Sequence, residues 1–246
     1  MRTLLLSIAI PLVLSVSLHA QAKKPWSASL VAYPAGSSDV SVTFRSLTGS
    51  GAHVPDNAIG MAVSPPPPAG VSVIVSVVTD DSVDHVSGNY FPNQANPGLP
   101  YPLTRDSNVV TAGVRISTWS IHNITAVPEA VLGGAAVRFS GMAGAKIMSL
   151  TEVGGLLSLP TVGAASRAGK GVPTSTGNLT LPPGPTFLWA TLGMQTNADA
   201  AMGTWSPGFI QAMRYALYNA PGGKAEALAN AYTVVNESGT YGAGTQ

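Results

Sequence analysis

The chain of 246 residues contains no cysteine. This absence excludes disulfide cross-links, thiolate metal sites, thiol catalysis and a lipid anchor on an N-terminal cysteine. A chain of this length does not need disulfides in order to fold, because it can bury enough apolar surface to form one large core. The lack of cysteine is therefore compatible with export.

Charged residues are also scarce, at 9% of the chain against about 25% in typical soluble domains. Beyond residue 22 the chain carries 11 basic residues, which is the total of 12 less Arg2, and 11 acidic ones, so its formal net charge is zero. A neutral chain offers no basic stripe to nucleic acid and no polybasic cluster to an anionic membrane. We expect no nucleic-acid partner, while a net charge near zero favours self-association.

Catalytic motifs are missing in the same way. Only three histidines, His53, His85 and His122, follow residue 22, and no G-x-S-x-G elbow occurs. His122 follows Trp119-Ser120-Ile121 and could activate Ser120 as a nucleophile. We favour a loop histidine beside an aromatic residue, because the geometry of a catalytic pair has to be shown first. The sequence predicts no enzyme activity, no cofactor and no metal.

What the chain does have, at its start, is a secretory signal. Arg2 supplies a positive n-region, Leu4 to Leu18 an apolar h-region, and Ala20-Gln21-Ala22 a small-residue cleavage site. These regions in this order are typical of a signal peptide, and the apolar run is short for a bilayer span. Residues 1–22 are thus predicted to be removed, leaving residues 23–246 as one secreted domain, extracellular or periplasmic, without a membrane span.

Apolar and polar residues alternate with a period of two along much of the remaining chain, which is typical of half-buried β-strands. The segments predicted as strands are 27–33, 40–47, 59–63, 71–79, 109–119, 136–140, 146–153, 178–181 and 186–192. Turns rich in proline and glycine separate them. This pattern predicts an all-β fold with little helix, a single antiparallel β-sandwich of jelly-roll or immunoglobulin-like type.

Two parts of the chain depart from the alternation. Residues 80–102 are predicted to form a long proline-rich loop, and residues 156–185 are predicted to be loop-rich. The last quarter is ambiguous, because Ser206-Pro207 is a helix-start signal and Lys224 to Ala231 is rich in alanine. Tyr232 to Val235, in contrast, favours strand.

Short motifs in residues 69–241 follow one another in a characteristic order. They are Asp84-His85-Val86-Ser87-Gly88-Asn89-Tyr90, Ile116-Ser117-Thr118-Trp119, Val137-Arg138-Phe139-Ser140-Gly141, Ser149-Leu150-Thr151-Glu152-Val153-Gly154-Gly155 and Gly177-Asn178-Leu179-Thr180-Leu181-Pro182-Pro183-Gly184. The series resembles a loosely characterised group of secreted bacterial β-sandwich modules, although the first turn is shifted by one residue on each side and a long insert follows it. The resemblance implies the fold, export and a mainly β-strand conformation for 224–235, but no chemistry.

Four aromatic residues in predicted loops are candidates for ligand binding, because loops on a rigid scaffold concentrate binding residues. They are Tyr90, Phe91, Tyr101 and Trp205. Burial in the core is an equally good interpretation of these four. Trp119 and Trp189 lie in predicted strands and are expected in the core.

Acidic residues form one cluster, in which Asp80, Asp81 and Asp84 precede His85. Oxygen ligands in a loop could hold calcium, but the spacing does not fit the calcium-loop motif. We favour an Asp-rich turn whose carboxylates accept hydrogen bonds from its own backbone N–H groups.

Glu152 is a further acidic residue of interest, because it lies in an apolar strand on the face of Met148 and Leu150. A buried carboxylate has to be paired or has a shifted pKa. A glycosidase needs a second carboxylate across the scissile bond, and nothing in the sequence places one there. We therefore favour a structural carboxylate that is hydrogen-bonded to a turn.

Together these observations predict a secreted, non-enzymatic binding or structural module that contacts carbohydrate, extracellular matrix or protein through its loops. Two alternatives stay open. One is an extracellular polysaccharide hydrolase, and the other is a self-assembling surface protein.

Overall fold

The computed structural model describes residues 24–50, 56–80, 83–93, 100–111, 113–125, 132–173, 175–196, 202–217 and 226–244. The predicted signal peptide lies outside these residues. Regular structure in the described ranges is almost entirely β-strand, and neighbouring strands pair antiparallel. The prediction of an antiparallel all-β fold with little helix is confirmed.

The larger of the sheets has eight strands. In the order in which they pair, these are β2 (Ser41–Ser50), β9 (Lys146–Gly154), β4 (Ser72–Thr79), β7 (Val114–Ile121), β6 (Tyr101–Thr111), β5 (His85–Phe91), β8 (Gly133–Ala143) and β3 (Asp56–Val63). The sheet curls so far that its first and last strands, β2 and β3, lie side by side. Its concave face encloses an apolar core to which β4 contributes Val73, Val75 and Val77.

A second sheet has five strands and packs on the convex face of the first. Its strands are, in pairing order, β10 (Gly163–Lys170), β1 (Pro25–Pro34), β12 (Thr186–Met194), β14 (Ala227–Val235) and β13 (Ile210–Ala216). Successive side chains of β1 lie on opposite faces of this sheet. Val31 and Tyr33 contact the first sheet, whereas Leu30 and Ala32 contact a separate apolar cluster on the far side. On that far side lie two short paired strands, β11 (Leu179–Leu181) and β15 (Gly239–Tyr241).

The layer between the two large sheets contains a buried polar network. Asn230 donates to Ser76 and Thr191, each at 3.1 Å, and accepts from Ser149 at 2.8 Å. The indole of Trp189 also donates to Ser76 at 3.1 Å. Buried polar groups are tolerated when they hydrogen-bond one another in this way.

Three predicted boundaries need correction. Residues 109–119 are not one strand, because a turn at Gly113, whose φ of 107° suits glycine, separates β6 from β7. Residues 80–102 are not wholly a loop, since 85–91 form β5. Similarly, 163–170 form β10 within the stretch predicted to be loop-rich. In both cases pairing with neighbouring strands outweighs the weak β-propensity of glycine and alanine.

The last quarter resolves in favour of strands. The prediction of a mainly β-strand conformation for 224–235 is confirmed by β14 over the described part, and the helix signal at Ser206-Pro207 precedes the strand β13. Ala227, Ala229 and Ala231 are all buried. Small side chains fit this crowded face, so tertiary packing overrides the helix propensity of alanine.

Candidate functional site

A cavity of about 310 Å³ opens beside β6 and β7, on the convex face of the eight-stranded sheet. Its lining consists of Thr104, Asp106, Ser120, His122, Ser158, Leu159, Pro160 and Thr161. Small-ligand pockets begin at about 300 Å³, so the volume suits a group of the size of one sugar ring. We refer to this cavity as the Asp106 pocket.

A β-bulge on β6 places the acidic residue of this pocket. Arg105 pairs with Trp119 and Ser107 pairs with Thr118, so Asp106 is the extra residue between them. A bulge bends its strand and re-aims a side chain. As a result Asp106 and Ser107 both face the five-stranded sheet: Asp106 reaches Tyr33, and Ser107 donates to Ser29 at 3.1 Å.

The carboxylate of Asp106 has hydroxyl partners. Oδ2 accepts a hydrogen bond of 2.7 Å from the hydroxyl of Tyr33, and Ser120 also hydrogen-bonds the carboxylate. Burial raises the pKa of Asp106 to about 6, against the opposing effect of these two bonds. Among the described residues no arginine or lysine forms an ion pair with it. The carboxylate is thus partly buried without a cationic neighbour.

His122 forms the opposite side of the pocket floor. Its Nε2 lies 3.3 Å from Oγ of Ser120 and its Nδ1 lies 3.0 Å from Oγ of Ser72. The imidazole meets the ring of Tyr33 edge-on at 5.6 Å. Burial lowers the pKa of His122, so the ring is neutral at neutral pH. A neutral imidazole between two hydroxyls can both donate and accept a hydrogen bond.

The segment between β9 and β10 supplies the outer wall of the pocket. Backbone hydrogen bonds from Leu157 to Pro34 and from Val162 to Ala32 hold this segment against the end of β1. Leu159 is 52% exposed and, with Pro160, gives the wall an apolar surface. Residues 155–162 contain no ionisable side chain. The pocket therefore combines a polar floor with an apolar wall.

The pair of Ser120 and His122 has the separation of a nucleophile and its base, yet the surroundings differ from a catalytic triad. Ser120 is only 1% exposed and also bonds Asp106. The other imidazole nitrogen faces the hydroxyl of Ser72, whereas a triad places a carboxylate there to orient and stabilise the imidazolium. The arrangement is better suited to recognising hydroxyl groups than to activating Ser120.

The four aromatic candidates lie elsewhere. Tyr90 is 1% exposed inside the curled sheet and pairs with Tyr101 of β6, which packs against the same core. Phe91 is half-buried at the end of β5. Trp205 packs on the far side of the five-stranded sheet. The structure thus brings the first three to one region but not to Trp205, and ligand binding by these four stays a prediction.

The acidic cluster after β4 is engaged by arginines. Oδ1 of Asp84 lies 3.0 Å from Nη1 of Arg115 and 3.6 Å from Nη1 of Arg105, while Asp80 is buried. Asp81 lies outside the described residues. Within the described ranges no group of three or more histidine and acidic side chains is placed to hold a metal ion. Two guanidinium groups at Asp84 would also oppose a cation there.

Glu152 pairs with an arginine. Its Oε1 lies 3.0 Å from Nε of Arg45, which in turn donates to the carbonyl of Pro65. Burial raises the pKa of Glu152 and the guanidinium opposes this rise. The ion pair joins β9 to its neighbour β2, so the partner of Glu152 is a side chain rather than the predicted turn.

The sequence provides no local signal for the most informative residue of the pocket. Asp106 sits between Arg105 and Ser107 in an ordinary strand pattern, and only the bulge turns its side chain to the pocket. Tyr33 and Ser72 likewise reach the site from strands far apart in sequence. Only the pairing of Ser120 with His122 follows from local spacing, since residues two apart share one face of a strand.

No family model matches this chain, and no curated protein has significant sequence similarity to it. In the described part of the chain there is no helix with the length and apolar character needed to cross a bilayer.

Proposed function

We propose that this protein is a secreted, non-enzymatic binding module whose ligand is a saccharide held in the Asp106 pocket. The observation that carries the proposal is the set of polar groups on the pocket floor. Asp106 accepts hydrogen bonds, the neutral imidazole of His122 does both, and Thr104 and Ser120 add hydroxyls. A few convergent polar groups in an otherwise apolar cavity are typical of small-molecule sites.

The geometry of the walls supports a sugar over a wholly apolar ligand. A pyranose presents hydroxyls around its edge and C–H groups on its faces. The floor hydroxyls and carboxylate can bind the edge, while Leu159 and Pro160 can cover a face. The predicted contact through loops is retained in part, because the wall residues 158–161 belong to the segment between two strands.

Export and the finer fold belong to the same proposal. The signal-peptide pattern of residues 1–22 supports secretion to the extracellular or periplasmic space. Two sheets that pack through the layer of Val31, Tyr33 and Trp189 support a β-sandwich of the kind found in secreted immunoglobulin-like or jelly-roll modules. The strong curl of the eight-stranded sheet is a departure from a flat two-layer sandwich.

A glycan array with the purified protein tests the proposal. Thr104 is exposed at the pocket, so Thr104→Trp should fill the pocket without disturbing the core. Thr180→Trp is the matched control, because Thr180 is an exposed strand threonine on β11, away from the pocket. We expect binding of at least one saccharide class by the wild type and by Thr180→Trp, and its loss in Thr104→Trp. The absence of binding, or binding that survives Thr104→Trp, would refute the proposal.

The second candidate function is hydrolysis of an acyl ester, which the 3.3 Å separation of Ser120 Oγ and His122 Nε2 favours. Hydrolysis of p-nitrophenyl acetate by the wild type, lost in both Ser120→Ala and His122→Ala with the fold intact, would establish it. We expect no hydrolysis, because Nδ1 of His122 lacks the carboxylate that stabilises an imidazolium.

A further inference from the structure

Three carboxylates of this protein differ in whether their partners carry a positive charge. Glu152 pairs with Arg45, and Asp84 pairs with Arg115, each at 3.0 Å. Asp106 is more enclosed than Asp84, yet its bonds go to the neutral hydroxyls of Tyr33 and Ser120. A buried charge is costly unless it is paired. The described side chains around Asp106 therefore do not neutralise its negative charge.

The groups that face Asp106 leave room for such a charge. Tyr33 comes from β1, Ser120 and His122 come from the end of β7, and the wall segment 155–162 carries no ionisable side chain. Tyr33 stays neutral, since burial and the nearby carboxylate both raise its pKa, and His122 is neutral because burial lowers its pKa. No described cation therefore competes with a cationic ligand group at this carboxylate.

We propose that the ligand of the Asp106 pocket carries a primary ammonium group that pairs with Asp106, so that the pocket takes an amino sugar with a free amine. This inference rests on the proposed function and specifies its substrate class.

The hydrogen-bonding capacity of the site agrees with this ligand. A carboxylate offers about four lone-pair positions, and Tyr33 and Ser120 use two of them. An ammonium supplies three N–H donors, one or two of which can bind Asp106 while the third reaches a neighbouring hydroxyl. The hydroxyls of Thr104, Ser158 and Thr161 remain for the sugar ring. An N-acetyl group would bring no charge and would have to fit its methyl group against the carboxylate.

Three tetrasaccharides of equal length distinguish recognition of the ammonium group from recognition of an N-acetyl group or of the sugar ring alone. One is the β-1,4-linked oligomer of glucosamine, the second is its fully N-acetylated form, and the third is the corresponding oligomer of glucose. Isothermal titration calorimetry at pH 6.5, where the glucosamine amines are substantially protonated, should give about tenfold or greater preference of the whole protein for the free-amine oligomer, which is what one charge-assisted hydrogen bond contributes.

Variants assign the preference to one side chain. Asp106→Asn keeps the shape but removes the charge, and it should bring the affinity for the glucosamine oligomer down to that of the glucose oligomer. Glu237→Gln is the matched control, because Glu237 is exposed on the loop before β15 and outside the pocket lining. It removes the same charge and should retain the preference.

The outcomes distinguish this inference from the proposed function. If the three oligosaccharides bind equally and Thr104→Trp abolishes all binding, the saccharide proposal stands and the ammonium inference is overturned. If none binds, both fail. A fourth arm with 1,4-diaminobutane tests the amine alone: binding as tight as that of the glucosamine oligomer, lost in Asp106→Asn, would show a simple amine site and overturn the assignment to an amino sugar.

Discussion

Two histidines of this protein, His85 and His122, have almost the same immediate partners and very different surroundings. Each imidazole lies between two side-chain hydroxyls, and each has an aspartate nearby. The comparison shows that the residue types around a histidine do not by themselves define a functional site. The two clusters differ in the partners of the neighbouring aspartate and in the access of solvent to the histidine.

His85 belongs to a closed network. Its ring nitrogens lie 2.6 Å from Ser117 and 2.8 Å from Thr79, and the residue is fully buried. The neighbouring Asp84 is paired with Arg115. Burial, aided by the Arg115 charge, lowers the pKa of His85 to about 3. Both ring nitrogens of His85 and the carboxylate of Asp84 have partners within the protein, so we interpret the cluster as structural.

His122 belongs to an open network. Ser72 and Ser120 contact its ring, but the ring is only half-buried and lines a cavity. The neighbouring Asp106 bonds Tyr33 and forms no ion pair with an arginine or lysine in the described ranges. The polar groups of this cluster therefore have hydrogen-bond partners, but no described side chain neutralises the negative charge of Asp106. The cluster faces a cavity in which a ligand can supply a positive charge.

The largest expected difference between the clusters is in stability. His85→Ala should lower the free energy of unfolding by about 4 kcal/mol, because it leaves a cavity and removes one hydrogen bond from each of two buried hydroxyls. His122→Ala should cost about 1 kcal/mol, since water can enter the pocket. Urea denaturation at pH 7 measures both. If the two variants lost the same free energy of unfolding to within about 1 kcal/mol, the distinction between a closed and an open histidine cluster would be contradicted.

The next effect is a pH dependence at Asp106. Its native pKa of about 6 exceeds the ordinary value of 3.8, so the native state binds more protons between these values and the stability falls as pH rises through this window. Asp106→Asn has no ionisable group at this position, so it does not lose stability in this pH window. Its free energy of unfolding relative to the wild type should therefore rise by about 2 to 3 kcal/mol between pH 4 and pH 7.

A second variant checks the cause of this slope. Tyr33→Phe removes a hydrogen bond that lowers the pKa of Asp106, so the pH window in which stability is lost should extend upwards. Parallel curves for wild type, Asp106→Asn and Tyr33→Phe would contradict the assignment of the slope to Asp106.

A smaller effect distinguishes the two serines. Ser117→Ala should cost about 2 kcal/mol, because the hydroxyl accepts from the indole of Trp119 at 2.6 Å as well as contacting His85. Ser120→Ala should cost less than about 1 kcal/mol, since pocket water can replace its bonds. Thermal unfolding of the two variants side by side is sufficient, and a larger loss for Ser120→Ala would reverse the comparison.

Within the His85 cluster, the smallest expected loss of stability is that of Asp84→Asn, which we compare with Asp106→Asn at pH 7. Asp84→Asn should cost about 1 kcal/mol, because it weakens partly exposed ion pairs with Arg115 and Arg105. Asp106→Asn should not destabilise the protein at this pH, since no ion pair is lost and the cost of ionising a partly buried carboxylate is removed. A destabilisation by Asp106→Asn that matches or exceeds that of Asp84→Asn would indicate an ion-pair partner for Asp106.

Much of the fold follows from local pattern. The alternation in 40–47 and the apolar run 71–79 correspond closely to β2 and β4, because the side-chain period of a strand is a local property. The pattern failed where local propensity and pairing disagree. Ser87-Gly88-Asn89 is turn-like in sequence, yet β5 forms because β6 and β8 pair with it on both sides.

The candidate site was hardly accessible from the sequence. Spacing alone brought Ser120 and His122 together, whereas the acidic residues before His85 were interpreted as a turn. Tyr33 and Asp106 are 73 positions apart and meet only through packing of the two sheets. Which of the histidine clusters is enclosed depends on that packing too.

By itself, then, the sequence determined an antiparallel all-β chain with little helix, since alternation is a short-range property. Only the tertiary structure decided that a bulge turns Asp106 to the pocket, and that its carboxylate meets hydroxyls where Asp84 meets guanidinium groups. The reason is physical: burial and charge pairing depend on partners that are distant in the chain, and no local window contains them.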